Sequence, residues 1–188
     1  MEIDRNLNLV LPVVRADGVT CYVHAQPIGH RVFKDNYLVI AKTFSAIYSE
    51  GLHVIGGPRI AGMMIRDVAA NLGVAEKVEL SLLAEIRRLA NVCLPGPHGW
   101  ETIPLEEAVR KQVLTAEDSD EVEGVLCFFT LAWSMHSRRE VKEILSTVAG
   151  LWSGQITSST LMEYVVSLQT STRDEPTGET ATALSIPH

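Results

Sequence analysis

The chain has 188 residues, 46% of them apolar, enough to bury a core as one domain without a disulfide or metal staple. Its formal charge is −7, and tight basic pairs such as Arg87-Arg88 and Arg138-Arg139 sit among acidic neighbours, so no basic face is available to displace counterions from nucleic acid. The longest apolar run, residues 125–133, is about half the length of a bilayer span, and the first residues read as no signal peptide.

In chain order, Leu7, Leu9, Leu11 and Val13 alternate with Asn8, Val10, Pro12 and Val14. After Ala16-Asp17-Gly18 the alternation resumes with Val19, Cys21, Val23 and Ala25. Period-two patterning on both sides of a short glycine loop predicts a β-hairpin over residues 7–27, with Gly18 in the left-handed position. Pro12 has no N–H to give to a ladder, so it is expected to face an open edge or a bulge.

From Arg31 the period becomes helical. Phe33, Tyr37, Ile40, Phe44 and Ile47 make one apolar stripe, which Glu50-Gly51 closes. Gly56-Gly57-Pro58 opens a second helix with Ile60, Met63, Met64, Val68 and Leu72 inward. A third helix is expected over residues 75–92, with Leu82, Leu83, Ile86 and Leu89 buried. The breaker-rich run Leu94-Pro95-Gly96-Pro97-His98-Gly99 reads as a loop.

Pro104 starts a short helix, and Thr115 offers an N-cap oxygen to a fifth, where Glu117 and Asp118 complement the helix dipole. The second half of that helix is apolar on every side, which marks a central element. Val141, Ile144, Leu145, Val148 and Leu151 line a sixth helix. Leu161, Met162, Val165 and Leu168 line a seventh, capped by Thr157 or Ser158. Beyond Gln169 the chain is polar and aperiodic. The predicted fold is therefore mainly α: a hairpin (7–27) and a body of six to seven helices (30–168) in one domain, 1–168, followed by a flexible polar tail, 169–188.

No catalytic, cofactor-binding or metal-binding set is predicted. The six histidines have no zinc-helix spacing, and the acidic run from Asp118 to Gly124 holds Val122 and Glu123 where a calcium loop needs an oxygen ligand and a glycine. Gly56-Gly57-Pro58-Arg59 lacks the lysine of a phosphate loop. Cys21, Cys93 and Cys127 are far apart and flanked by apolar residues, so they read as small buried hydrophobes of a reducing compartment. An enzyme would have to assemble its site from scattered groups such as Asp67, Glu85 and His136. Tryptophan is over-represented where proteins grip one another, which makes Trp133, His136, Arg138 and Trp152 the candidate partner-binding residues.

The run Val125-Leu126-Cys127-Phe128-Phe129-Thr130-Leu131-Ala132-Trp133-Ser134-Met135-His136 resembles the apolar helix of the tail assembly chaperones of long-tailed bacteriophages, which ends in a Ser, Trp and His cluster. The helices that follow, the polar tail and the opening hairpin with its aromatic helix are similar to longer members of that group. The resemblance implies a chaperone of the host cytoplasm that coats the tape measure protein and recruits tail-tube subunits. It implies no cofactor, no nucleic acid partner and no membrane, and leaves homo-oligomerisation open. The alternative is a structural head–tail connector or completion protein of the virion.

Overall fold

The structure, a computed structural model, describes residues 7–15, 17–49, 51, 56–97, 99–136, 141–150 and 153–173. Strands β1 (Asn8–Val14) and β2 (Thr20–Ala25) form the expected hairpin, with Gly18 at φ +80° in its turn. Helices α1 (His30–Ser49) and α2 (Gly57–Asn71) follow. A third helical stretch comprises α3 (Ala75–Val78), a π-helical turn (Glu79–Leu83) and α4 (Ala84–Arg88). The chain then returns as β3 (Ala90–Gly96) and β4 (Gly99–Pro104), and continues through α5 (Leu105–Arg110), α6 (Ala116–Met135), α7 (Val141–Gly150), β5 (Gln155–Thr157) and α8 (Leu161–Arg173).

The mainly-α expectation is therefore corrected. The fold is mixed α/β, built on a five-stranded antiparallel sheet in the order β4-β3-β2-β1-β5. The segment expected to finish the third helix pairs instead with β2, Val92 opposite Val23 and Asn91 opposite His24. The supposed loop is the turn of a second hairpin, with Gly96 opposite Gly99. Both departures share a cause. A short apolar run carries no decisive period, and partners in a sheet can override a helical continuation.

Alternation along the strands sorts side chains to two faces. Leu9, Leu11, Val23 and Val92 join the main core with α1, α2 and α6, whereas Val10, Cys93, Tyr22 and Trp100 lie on the opposite face beneath Tyr164 and Val165 of α8. The sheet is thus sandwiched between a thick helical layer and one helix. Since β5 and α8 come from the end of the described chain, the first hairpin is the middle of the sheet, not an appendage.

Arg15 donates its N–H to the Val19 carbonyl at the end of the first hairpin (3.0 Å), so odd-numbered residues of β1 exchange hydrogen bonds with β2 and even-numbered ones face the other way. On that side Asn8 and Val10 pair with β5. Pro12 and Val14 meet no strand among the described residues. Pro12 lies on an open edge, where its missing N–H breaks no ladder bond and leaves an incoming strand one donor short.

Helix α6 is the central element. It is buried without interruption from Val125 to Ala132 and opens on a capping box, in which Thr115 Oγ1 accepts from Asp118 N–H (3.1 Å) and the Asp118 carboxylate from Thr115 N–H (3.0 Å). Helix α2 turns a small-residue face to it, burying Gly57, Ala61, Gly62, Ile65 and Ala69. The close approach needs two glycines. A Cβ on Gly124 would overlap the Pro58 carbonyl oxygen, and one on Gly57 would enter the Phe128 ring. Of the expected inward stripe of α2, Met64, Val68 and Leu72 pack against the core, whereas Met63 is 62% exposed, a correction.

In α1 the expected stripe holds at Phe33, Ile40, Phe44 and Ile47, which pack on the core, but not at Tyr37. Asn36, Val39, Ile40, Thr43 and Ile47 are buried, while Tyr37 is 59% exposed. Asn36 is satisfied locally, its Nδ2 donating to the Val32 carbonyl (2.9 Å) and its Oδ1 accepting from Ser81 Oγ (3.2 Å). Helix α8 starts at a Thr160–Glu163 box rather than at Thr157 or Ser158. It extends to Arg173, so residues 169–173 of the expected tail are helical; residues 174–188 lie outside the described residues.

Candidate functional site

The structure gathers part of the predicted set at the C-terminal ends of α1 and α6. Trp133 is half-buried and packs against the main core. His136 Nδ1–H donates to the Ala132 carbonyl (2.8 Å), which turns the imidazole back along the helix, and the ring meets Phe44 edge-on at 5.4 Å. Phe44 in turn packs on Tyr48, centroids 4.4 Å apart. Tyr48 and Met135 are more than one-third exposed, so this aromatic group reaches the surface. Arg138 and Trp152 lie outside the described residues.

From this end the outer face of α1 continues as an apolar strip through Ala41 to Leu38 and Tyr37, which are 44% and 59% exposed. Tyr37, Ala41 and Tyr48 follow helical spacing and share one side, with the polar Ser45 between the last two. Sequence reasoning took Tyr37 as inward. The signal that could have placed it outward was the competing stripe Asn36, Val39, Ile40, Thr43 and Ile47, equally periodic but smaller and partly polar.

The scattered trio is not assembled. Asp67 adjoins Arg66, which bonds Glu123 on α6, whereas His136 lies thirteen residues farther along, about 20 Å at 1.5 Å per residue. Glu85 is held by Arg88 through two hydrogen bonds, at 2.6 and 2.8 Å, and its pKa is lowered by that contact.

A neutral ring of charge joins α2, the π turn, α4 and α6. Arg66 bonds Glu79 (3.2 Å) and Glu123 (2.6 Å), and Arg87 bonds the same two carboxylates (both 3.0 Å). The wider π turn carries Glu79 between the two guanidinium groups. Burial pushes the Glu79 carboxyl up, but the hydrogen bond from Arg87 and the charge of Arg66 outweigh it and hold the pKa below the ordinary 4.5. Each carboxylate faces both guanidinium groups, and Arg87 also meets Glu106 at 3.7 Å, which locks the helices in register and leaves neither arginine free for an anion.

Under α8 lies a buried polar contact. His24 is fully buried; its Nε2–H donates to the Ser159 carbonyl (3.1 Å), and Asn8 Nδ2 donates to the same oxygen (2.9 Å). His24 Nδ1 has no hydrogen-bond partner among the described residues. Burial lowers the pKa of His24, since no charged side chain compensates an imidazolium there. Tyr164 beside it is pushed up to about 12 and Cys93 to about 11, in both cases chiefly by burial. Burial favours the neutral forms of all three groups, and His24 with Asn8 grips one carbonyl just before α8, which suits attachment of that helix rather than proton transfer.

Among the described residues no group of three or more His, Cys, Asp or Glu side chains is placed to hold a metal ion, and no helix is long and apolar enough to cross a membrane. No known protein family, curated protein or solved structure matches this chain. The α1 strip with its aromatic end combines exposure, apolar character and helical order.

Proposed function

We propose that the chain is a protein-binding assembly factor, a chaperone of phage tail assembly that covers the tape measure protein and recruits tail-tube subunits in the host cytoplasm. One observation carries the binding role: α1 presents Tyr37, Leu38 and Tyr48 on its outer side, ending at Phe44 and His136, while smaller residues fill the core beneath. Large apolar side chains held outward on a rigid helix are what an amphipathic partner helix packs against. The tape measure protein enters through the resemblance of residues 125–136. A tape measure helix exposes apolar stripes before it is enclosed by the tube, and this strip is suited to cover one.

The test is co-expression of the chain with the tape measure protein and the tube protein of the same phage. The tape measure protein is expected to be insoluble alone and to co-purify in soluble form with the chain. Tyr37→Glu with Leu38→Glu is expected to abolish that rescue while helical content is unchanged. No rescue and no complex with either protein refutes the proposal. Mass spectrometry of purified virions separates it from a connector role, because a chaperone is absent from mature particles.

A further inference from the structure

We infer that the groove between α2 and the helical stretch that follows it docks a partner helix whose apolar stripe is bordered by lysine or arginine. The inference builds on the protein-binding reading and adds a second surface with a defined partner chemistry.

The groove has a volume of about 650 Å³, room for several side chains of one helix face. Ala70, Ala75 and Val78 line it with short apolar groups, so an incoming backbone can come close. Met63, 62% exposed, adds a flexible side chain able to mould to a partner. Its charge is the selective feature. Arg66, the cation at the groove, is already bonded to Glu79 and Glu123. Lys77 turns away and donates to the Asp35 carbonyl on α1 (3.2 Å). Asp67 and Glu76, both exposed in the groove, have no ion pair among the described residues.

An apolar floor with two uncompensated carboxylates favours a helix with basic borders and repels one with acidic borders. The same carboxylates disfavour nucleic acid and anionic metabolites. Among the described residues no free cationic or buried polar group converges on the groove to orient a small ligand, because Arg66 is consumed by its ring. Nor is the open edge of β1 the better docking site, since Pro12 withholds a hydrogen-bond donor from an added strand.

The probe is a dansyl-labelled synthetic amphipathic peptide with a leucine stripe bordered by lysines, titrated with the full chain by fluorescence anisotropy. Saturable binding that weakens with salt is expected. Asp67→Lys with Glu76→Lys is expected to weaken it about fivefold or more, and Met63→Glu to remove it. The swapped variant is expected to bind a glutamate-bordered peptide more tightly than the wild type does. All three positions are exposed, and circular dichroism checks that each variant is folded. Equal binding of the lysine-bordered peptide by wild type and the swapped variant, or no binding by wild type, overturns the inference. Tape measure rescue by wild type together with absence of peptide binding sinks the groove and spares the chaperone reading. Absence of rescue by wild type sinks the chaperone reading while the peptide result stands on its own.

Discussion

Replacing Gly124 by alanine tests how closely α2 and α6 pack. In an unhindered helix the change stabilises by about 0.8–1 kcal/mol, because alanine loses less backbone entropy. At Gly124 the new methyl would overlap the Pro58 carbonyl oxygen and lie 3.3 Å from its carbon, and these are backbone atoms that cannot rotate away. Overpacking of this kind costs about 1–3 kcal/mol, here toward the upper end because two helices must separate. The net expectation is a loss of about 1–2 kcal/mol, a fall in Tm of about 2–8 °C for a chain of this size. Gly62→Ala in α2 is the matched control. Its nearest atoms would be Arg66 Nη1 at 3.5 Å, Glu123 Oε1 at 3.6 Å and Cys127 Sγ at 3.7 Å, ordinary contacts that leave the propensity gain intact. It should raise Tm by about 2–4 °C. Urea denaturation followed by circular dichroism reads both. If the two substitutions shift stability in the same direction by similar amounts, the helices are not in the contact described.

The pKa of His24 is lowered in the folded protein, so the unfolded chain takes up the proton first. Stability is full above the ordinary 6.5 and is lost as pH falls below it toward the folded pKa. His24→Leu should be less stable at neutral pH yet show a flatter decline between about pH 7 and 5, and an unchanged slope in urea titrations would show that His24 is not the group responsible. The salt-bridged carboxylates Glu79 and Glu85, also lowered, lose their contribution only below the ordinary 4.5. All three cysteines are buried, and burial pushes each thiol up, so Ellman's reagent should label none in the native protein and all of them in urea. Rapid native labelling would contradict that burial. Pro12→Val restores an outward N–H on the open edge of β1 and should produce concentration-dependent self-association in sedimentation experiments, whereas a monodisperse variant would mean that the edge is covered.

The first hairpin, the Thr115 cap and the all-round apolar α6 were legible because each carries a local signal: strict alternation, a polar residue before acids, a run with no polar face. The second hairpin was not, because Ala90 to Leu94 reads as easily as a helix end, and the pairing that decides it lies nearly seventy residues away on β2. Tyr37 of α1 and Met63 of α2 were misplaced for a different reason. Periodicity counts large apolar residues, but α2 packs on α6 through small ones, Gly57 above all, where the Phe128 ring leaves no room for a side chain, and Tyr37 and Met63 lie outward. Those outward positions carry the candidate surfaces. His136 was found through its place at the end of an apolar helix; its partner Phe44 was read only as core.

Helix α8 lays its cover on Tyr22, Cys93 and Trp100 from far downstream. During synthesis at ordinary rates, roughly sixty residues separate Trp100 from Leu161, on the order of 3–12 s in which the back of the sheet stays bare. Any nascent chain halted inside that interval presents aromatic rings and the open side of β1 together, a sticky half-product that quality control would have to intercept. Completion of the last helix is therefore the event that makes the protein safe to release.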